Sequence, residues 1–161
     1  MAWLPGISTM KKIIAEVVEL PNGWVKPALY CLDEDGEVSS AITNTVLDVI
    51  SESGHRALQE LNELIRFFES GGYAPRNPAL PDWSVNDKNI WLVPPRAASG
   101  NICVSNENIS DYSEDDGIPQ QFPINLFRVV IDHWNCFQGL IKEQGLVGMK
   151  WKKYEIEIPD F

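Results

Sequence analysis

A chain of 161 residues with 23 Asp and Glu against 13 Lys and Arg has a formal net charge of −10, which opposes the phosphate contacts that nucleic-acid binding needs. Its three cysteines, Cys31, Cys103 and Cys136, are odd in number and widely spaced, a usage that fits buried thiols in a reducing compartment rather than a disulfide framework. There is neither a basic leader nor a run of about 20 apolar residues of the kind that spans a bilayer, so the expected setting is the cytoplasm and no membrane partner is expected.

In chain order, Ile13, Ile14, Val17 and Val18 supply the β-branched content of a strand over 7–20. Pro21-Asn22-Gly23 is a turn signal, because Asn and Gly accept left-handed backbone angles. A second strand follows over 24–32. Its Pro27 has no N–H to donate to a ladder, which argues for a sheet edge or a bulge. The two strands are expected to pair as an antiparallel hairpin. Residues 38–50 fit two descriptions. Thr43, Thr45, Val46, Val49 and Ile50 favour a strand by propensity, while Ile42, Val46, Val49 and Ile50 would line one helix face; the strand is the preferred reading.

Ala57, Leu58, Leu61, Leu64, Ile65 and Phe68 recur with a period near 3.6 and predict an amphipathic helix over 53–70. Ser53 is its expected N-cap, and Gly71-Gly72 its stop. Pro75, Pro78 and Pro81 leave 73–87 as an ordered loop pinned by Tyr73 and Trp83. Short strands are expected over 90–93 and 101–105. Residues 106–121 hold five carboxylates and no Lys or Arg and read as a solvated loop.

Pro123 opens a second helix over 123–144, with Ile124, Phe127, Ile131, Trp134, Phe137 and Ile141 as its apolar stripe, Gly139 as a point of close packing and Gly145 as its stop. A final strand over 151–158 alternates Tyr154, Ile156 and Ile158 against the more polar Trp151, Lys153, Glu155 and Glu157. Lys142, Lys150, Lys152 and Lys153 form the main basic cluster, read as the solvated edge of that strand. These elements amount to an α+β fold, a mainly antiparallel sheet with two principal helices packed on one face. They make one compact domain over 1–161, with long surface loops near 72–88 and 106–122.

The chemical constellations are sparse. His133 and Cys136 stand three apart with Asp132 adjoining, two ligands where zinc takes three or four from the protein. A Cys–His nucleophile would need Cys31 or Cys103 beside His55 and a third group to hold the histidine. Asp33-Glu34-Asp35-Gly36-Glu37 lacks the spaced oxygen ligands and the terminal Glu of a calcium loop, and 111–117 fails the same test. No glycine pattern forms a phosphate cradle. No catalytic residue, metal or cofactor is therefore nominated.

What remains is surface character. Strong negative charge and six tryptophans suit a protein that holds a basic protein partner, the carboxylates steering encounter and an indole supplying an anchor. Trp134 falls on a core stripe, and Trp91 on a strand. Trp83 and Trp151 fall in loop or polar-face contexts. The candidate contact residues are thus Trp83, Glu107, Asp111, Glu114, Asp115, Asp116 and Trp151. In size, acidity and α+β style, with no motif behind the likeness, the chain is similar to the small acidic immunity proteins that bacteria use against nuclease and other polymorphic toxins. That likeness implies a basic toxin domain as partner, with acidic side chains competing for the toxin's substrate surface. The alternatives are a small cysteine- or carboxylate-dependent hydrolase and a non-catalytic assembly subunit, such as a homodimer through the open sheet.

Overall fold

The computed structural model describes residues 10–73, 79–94, 100–107, 119–159 and 161. The fold is α+β, with antiparallel strands divided between two sheets. The first sheet has the order β2-β1-β7, from β1 (Met10–Glu19), β2 (Val25–Leu32) and β7 (Lys153–Pro159). The second has the order β3-β4-β5-β6, from β3 (Trp83–Val85), β4 (Lys88–Val93), β5 (Asn101–Asn106) and β6 (Gln120–Pro123). The long helices are α3 (His55–Glu69) and α4 (Ile124–Gln144).

The expected hairpin forms. β1 and β2 pair with Ala15 opposite Leu29, and Gly23 takes a left-handed φ of 85° in the turn. Pro27 lies on the outer strand of its sheet, where its missing donor costs no ladder bond. One face of this sheet is built by Ile13, Ala15 and Val17 of β1, Leu29 and Cys31 of β2, and Ile156 of β7, and it turns to the core. The other face carries Lys26, Lys153, Glu155 and Glu157, all exposed. The alternation expected of the last strand is present, with Ile158 buried and Glu155 and Glu157 in solvent.

Residues 38–50 correct the sequence reading. After a single bridge between Leu32 and Val38 the chain turns helical. It runs as α1 (Ser40–Ile42), a π-helical turn (Thr43–Leu47) and α2 (Asp48–Glu52). Val46, Leu47, Val49 and Ile50 are fully buried. β-branched residues favour strands only where a pleated neighbour is there to pack on. Here burial on several sides favours a helix, which satisfies its own backbone.

Smaller corrections follow the same logic. Ser53 does not cap α3: the chain is extended at Ser53 and Gly54, Gly54 takes the cap position, and the Ser53 Oγ is buried without a partner. Pro123 is the N-cap of α4 rather than its first helical residue. Trp83 begins a strand instead of pinning a loop. Tyr73 does act as a pin, its hydroxyl donating to Asp82 (2.6 Å), whose other carboxylate oxygen accepts the Leu92 N–H (2.7 Å). The stripe of α4 and the Leu58, Leu61, Ile65 and Phe68 face of α3 enter one continuous core with both sheets.

Gly139, expected at a close approach, has nothing within 4 Å of a would-be Cβ. The close approach lies at Gly100, where a Cβ would meet the Val93 carbonyl oxygen at 3.0 Å and the Phe68 ring at 3.1 Å. Gly139→Ala is therefore expected to stabilise the protein by up to about 1 kcal/mol. Gly100→Ala is expected to destabilise it by about 1–3 kcal/mol, because backbone must move. Urea unfolding of the two variants checks both signs.

Candidate functional site

Charged side chains gather where α2 meets the β3–β4 turn, beside the end of β5. Asp48 and Glu52 stand at the two ends of α2. Asn86, at φ 51°, and Asp87 make the turn into β4. The left-handed angle is one that Asn tolerates better than most residues. Glu107 follows β5, and its backbone N–H donates to the Asp87 carbonyl oxygen (2.8 Å). Its carboxylate accepts from the Asn89 amide (2.6 Å). Three carboxylates, those of Asp48, Glu52 and Asp87, thus converge from two parts of the chain, while Glu107 lies beside them with its carboxylate turned to Asn89 on the opposite face of β4. Asp48, Glu52, Asn86, Asp87 and Lys88 line an open hollow of about 470 Å³ between them.

Lys88 holds this corner together from beneath. It is only 4% exposed, although it lies on a strand whose Ile90 and Leu92 face the core. Its ammonium pairs with Asp87 and lies 3.6 Å from Asp48. A buried ammonium is tolerated only where carboxylates meet it. Its charge offsets the repulsion among the acids from the protein side, so the solvent side stays negative. Burial pushes the Asp48 carboxyl above its ordinary value of 3.8, opposed by the Lys88 charge and reinforced by Glu52 and Asp87.

The residues nominated from sequence separate. Glu107 adjoins this acidic corner through its backbone, with its carboxylate bonded to Asn89. Asp111, Glu114, Asp115 and Asp116 lie outside the described residues. Trp83 is half-buried, packs against the core, and sits opposite Ile90 in the ladder. Trp151 is at the other sheet. Its N–H donates to the Val17 carbonyl oxygen (3.3 Å), its φ is 70°, and its indole is 64% exposed beside the Lys150 ammonium. Asp48, Glu52 and Asp87 were not singled out from sequence. The acidic turn before β4 was there to be read, but its meeting with α2 depends on a helix read as a strand. Trp24, the first residue of the strand expected over 24–32, lies in the turn before β2 and is 73% exposed.

The thiols and histidines do not assemble into a nucleophilic site among the described residues. Burial first, and then the Asp33 charge, push the Cys31 thiol up to about 11. Burial raises Cys103 as well. His55 opens instead on a hollow of about 200 Å³ between α3 and α4, with Gln59, Asn62, Arg66 and Asn135 among its walls and Leu58 and Ile131 as its floor. His133 bonds through Nε2 to the Tyr154 carbonyl oxygen (3.0 Å). No group of three His, Cys, Asp or Glu able to hold a metal occurs among the described residues. No described helix is long and apolar enough to cross a membrane. The loop at 33–37 is partly neutralised by Lys11, 3.2 Å from Asp33 and 3.6 Å from Glu34.

Comparison with family models, with curated proteins and with solved structures gives no significant match for this chain.

The raised Asp48 carboxyl has a definite sign in stability. The unfolded chain releases this proton near the ordinary value and the folded chain at a higher pH, so between the two the folded state holds more protons. The group's favourable contribution is complete below the ordinary value and is lost as pH rises through the folded value. Asp48→Asn is therefore expected to gain stability relative to the parent as pH rises across this window. Urea unfolding of both proteins over a pH series measures the difference; a difference level with pH would show that Asp48 titrates normally.

Proposed function

We propose that this chain is a small acidic binding protein that neutralises or escorts a basic protein partner, in the manner of an immunity protein that inhibits a bacterial toxin. The observation that supports this reading is the corner of Asp48, Glu52 and Asp87, with Glu107 beside it, whose associated ammonium, Lys88, is buried beneath it. A negative field facing solvent attracts a cationic surface and raises its rate of encounter. The open hollow gives an arriving lysine or arginine side chain room to meet carboxylates from α2 and from the β3–β4 turn together. Guanidinium suits this best, since its planar fork can engage two carboxylate oxygens at once. Against a toxin that handles nucleic acid, the same carboxylates would occupy the cations that the substrate phosphates need.

The overall charge of −10 adds a longer-range attraction of the same sign. That attraction fades with salt, because fields between exposed charges are screened over about 10 Å at 0.1 M. Stopped-flow association with the small basic proteins encoded beside this gene tests the reading. Glu52 and Glu107 are the residues to reverse, since neither is an ion-pair partner of Lys88. Glu52→Lys with Glu107→Lys is expected to slow association by about tenfold at low salt, with the difference closing at high salt. The reading fails if no basic neighbour binds the parent protein, or if the charge-reversed variant associates at the parental rate at every salt concentration.

A further inference from the structure

The far end of the three-stranded sheet has the opposite character. Trp24 and Trp151 flank the end of β1, one on each side. The Leu20 N–H donates to the Trp24 carbonyl oxygen (2.7 Å), and the Trp151 N–H to that of Val17 (3.3 Å). Both indoles stand in solvent, 73% and 64% exposed, and Val147 of α5 (Leu146–Met149) is 74% exposed. Trp151 holds a positive φ, a conformation that a bulky residue adopts only when its surroundings impose it. Two residues beyond each indole comes a lysine. Lys26 pairs in register with Val18, and Lys153 with Glu16, so both lysines share the face of the sheet turned away from the core. Lys26 and Lys153 are exposed and make no ion pair among the described residues. Lys150 and Lys152 add two more cations, the first paired with Glu19 (3.7 Å) and the second bonded to Gln144 (3.2 Å). Between the two lysines, Glu16 is buried under a hydrogen bond from the Tyr30 hydroxyl (2.5 Å), and the exposed Glu155 and Glu157 lie further along the same face, Glu155 4.0 Å from Lys12.

The indole-bearing end of this sheet, with Lys26, Lys150, Lys152 and Lys153 gathered around it, is thus locally basic in a strongly acidic chain. Two exposed indoles form a costly surface in water and an effective anchor in an interface. The surrounding lysines reject the cationic partner proposed for the acidic corner and select a carboxylate-bearing one. We infer that this lysine–indole end docks the acidic corner of a second copy of the same chain. The occupant is argued from charge complementarity: Lys26 and Lys153 on one copy meet Glu52 and Glu107 on the other, while Trp24 and Trp151 supply the apolar contact. Overall repulsion between two acidic copies is screened beyond about 10 Å at 0.1 M salt, whereas contacts closer than that survive. The interface joins two different surfaces, so each copy keeps one of each free and association proceeds head to tail. The inference rests on the proposed role of the corner in one respect: a docked copy would cover it, so self-association and partner capture would compete.

Sedimentation velocity over a concentration series tests this with the full chain. The parent is expected to associate reversibly at low salt and to dissociate as salt rises. Lys26→Glu with Lys153→Glu, and separately Glu52→Lys with Glu107→Lys, are each expected to weaken self-association by about tenfold or more. An equimolar mixture of the two charge-reversed variants is expected to associate again, because each then offers the other a complementary surface. Trp24→Ala with Trp151→Ala is expected to weaken association at every salt concentration. A parent that stays monomeric throughout, association indifferent to the reversals, or a mixture that fails to associate overturns the inference. The Lys26→Glu and Lys153→Glu variant retains the acidic corner, so its capture of a basic partner separates failure of this inference from failure of the proposed function.

Discussion

The structure depends on a short helical segment buried between two sheets. Residues 40–52 lie against the outer edge of β2 on one side and against β5 and β6 on the other. The segment closes that edge: the Ser39 N–H donates to the Cys31 carbonyl oxygen (2.8 Å), and the Cys31 N–H is taken by the Thr43 hydroxyl (3.1 Å). On the opposite side the Asn106 amide donates to the Asn44 carbonyl oxygen (2.9 Å), tying in β5. An element with neighbours on several sides must satisfy its backbone internally, since buried amide and carbonyl groups cannot be left without partners. A helix does so, whereas a strand there would need ladders to both sheets. The π turn over Thr43–Leu47, with the Asp48 N–H reaching back to the Thr43 carbonyl, sets the direction in which α2 leaves and thereby where Asp48 and Glu52 stand.

This also explains which parts of the fold were legible in the sequence. The hairpin was readable because its information is local: β-branched residues on both sides of Pro-Asn-Gly, and a proline that suits only an edge. The two long helices were readable because one apolar stripe meets one polar face. Segment 40–52 has no such two-sided pattern. Its Ile42, Val46, Val49 and Ile50 do share a helix face, but the β-branched Thr43, Thr45, Val46, Val49 and Ile50 argued as well for a strand, and only the burial of Thr45, Val46, Leu47, Val49 and Ile50 against several neighbours decides between them. β6 was hidden for the converse reason. Gln120 and Gln121 carry little strand propensity, and the strand exists because β5 offers an edge and Phe122 fills the core opposite Ile102.

The candidate site was legible in character and not in composition. Net charge located its sign, and Glu107 fell beside it. The sequence contains Asp87-Lys88 as an unremarkable charged pair at a turn. Only the fold shows that Lys88 is turned inward to meet Asp48, forty residues earlier in the chain. A lysine at an inward-facing strand position is normally evidence against that register, since moving an ammonium from water costs several kcal/mol unless carboxylates receive it. Here Asp48 and Asp87 receive it, and the register can stand. Trp151 shows the opposite failure. Lys153 and Glu155 alternate as expected, but Trp151 lies in the turn before β7 rather than in the strand, and its left-handed backbone has no signature in a tryptophan.

The buried ammonium and the surface acids together link charge recognition to protonation. Burial first, and then the charges of Glu52 and Asp87, disfavour the ionised form of Asp48. Lys88 offsets part of that cost from the interior, where it is fixed by the β4 ladder. A cation entering from solvent would offset more of it, and would favour the ionised form of Asp48 as Lys88 already does. Any cation that binds the corner must therefore release a proton wherever Asp48 is still partly protonated, and by the same linkage its affinity falls as the carboxyl takes up that proton. The corner then differs in kind from a loop of solvated acids. Its charge is held by a helix and a tight turn whose positions the core already sets, so a cation arriving from solvent would meet carboxylates that need little reorganisation to receive it.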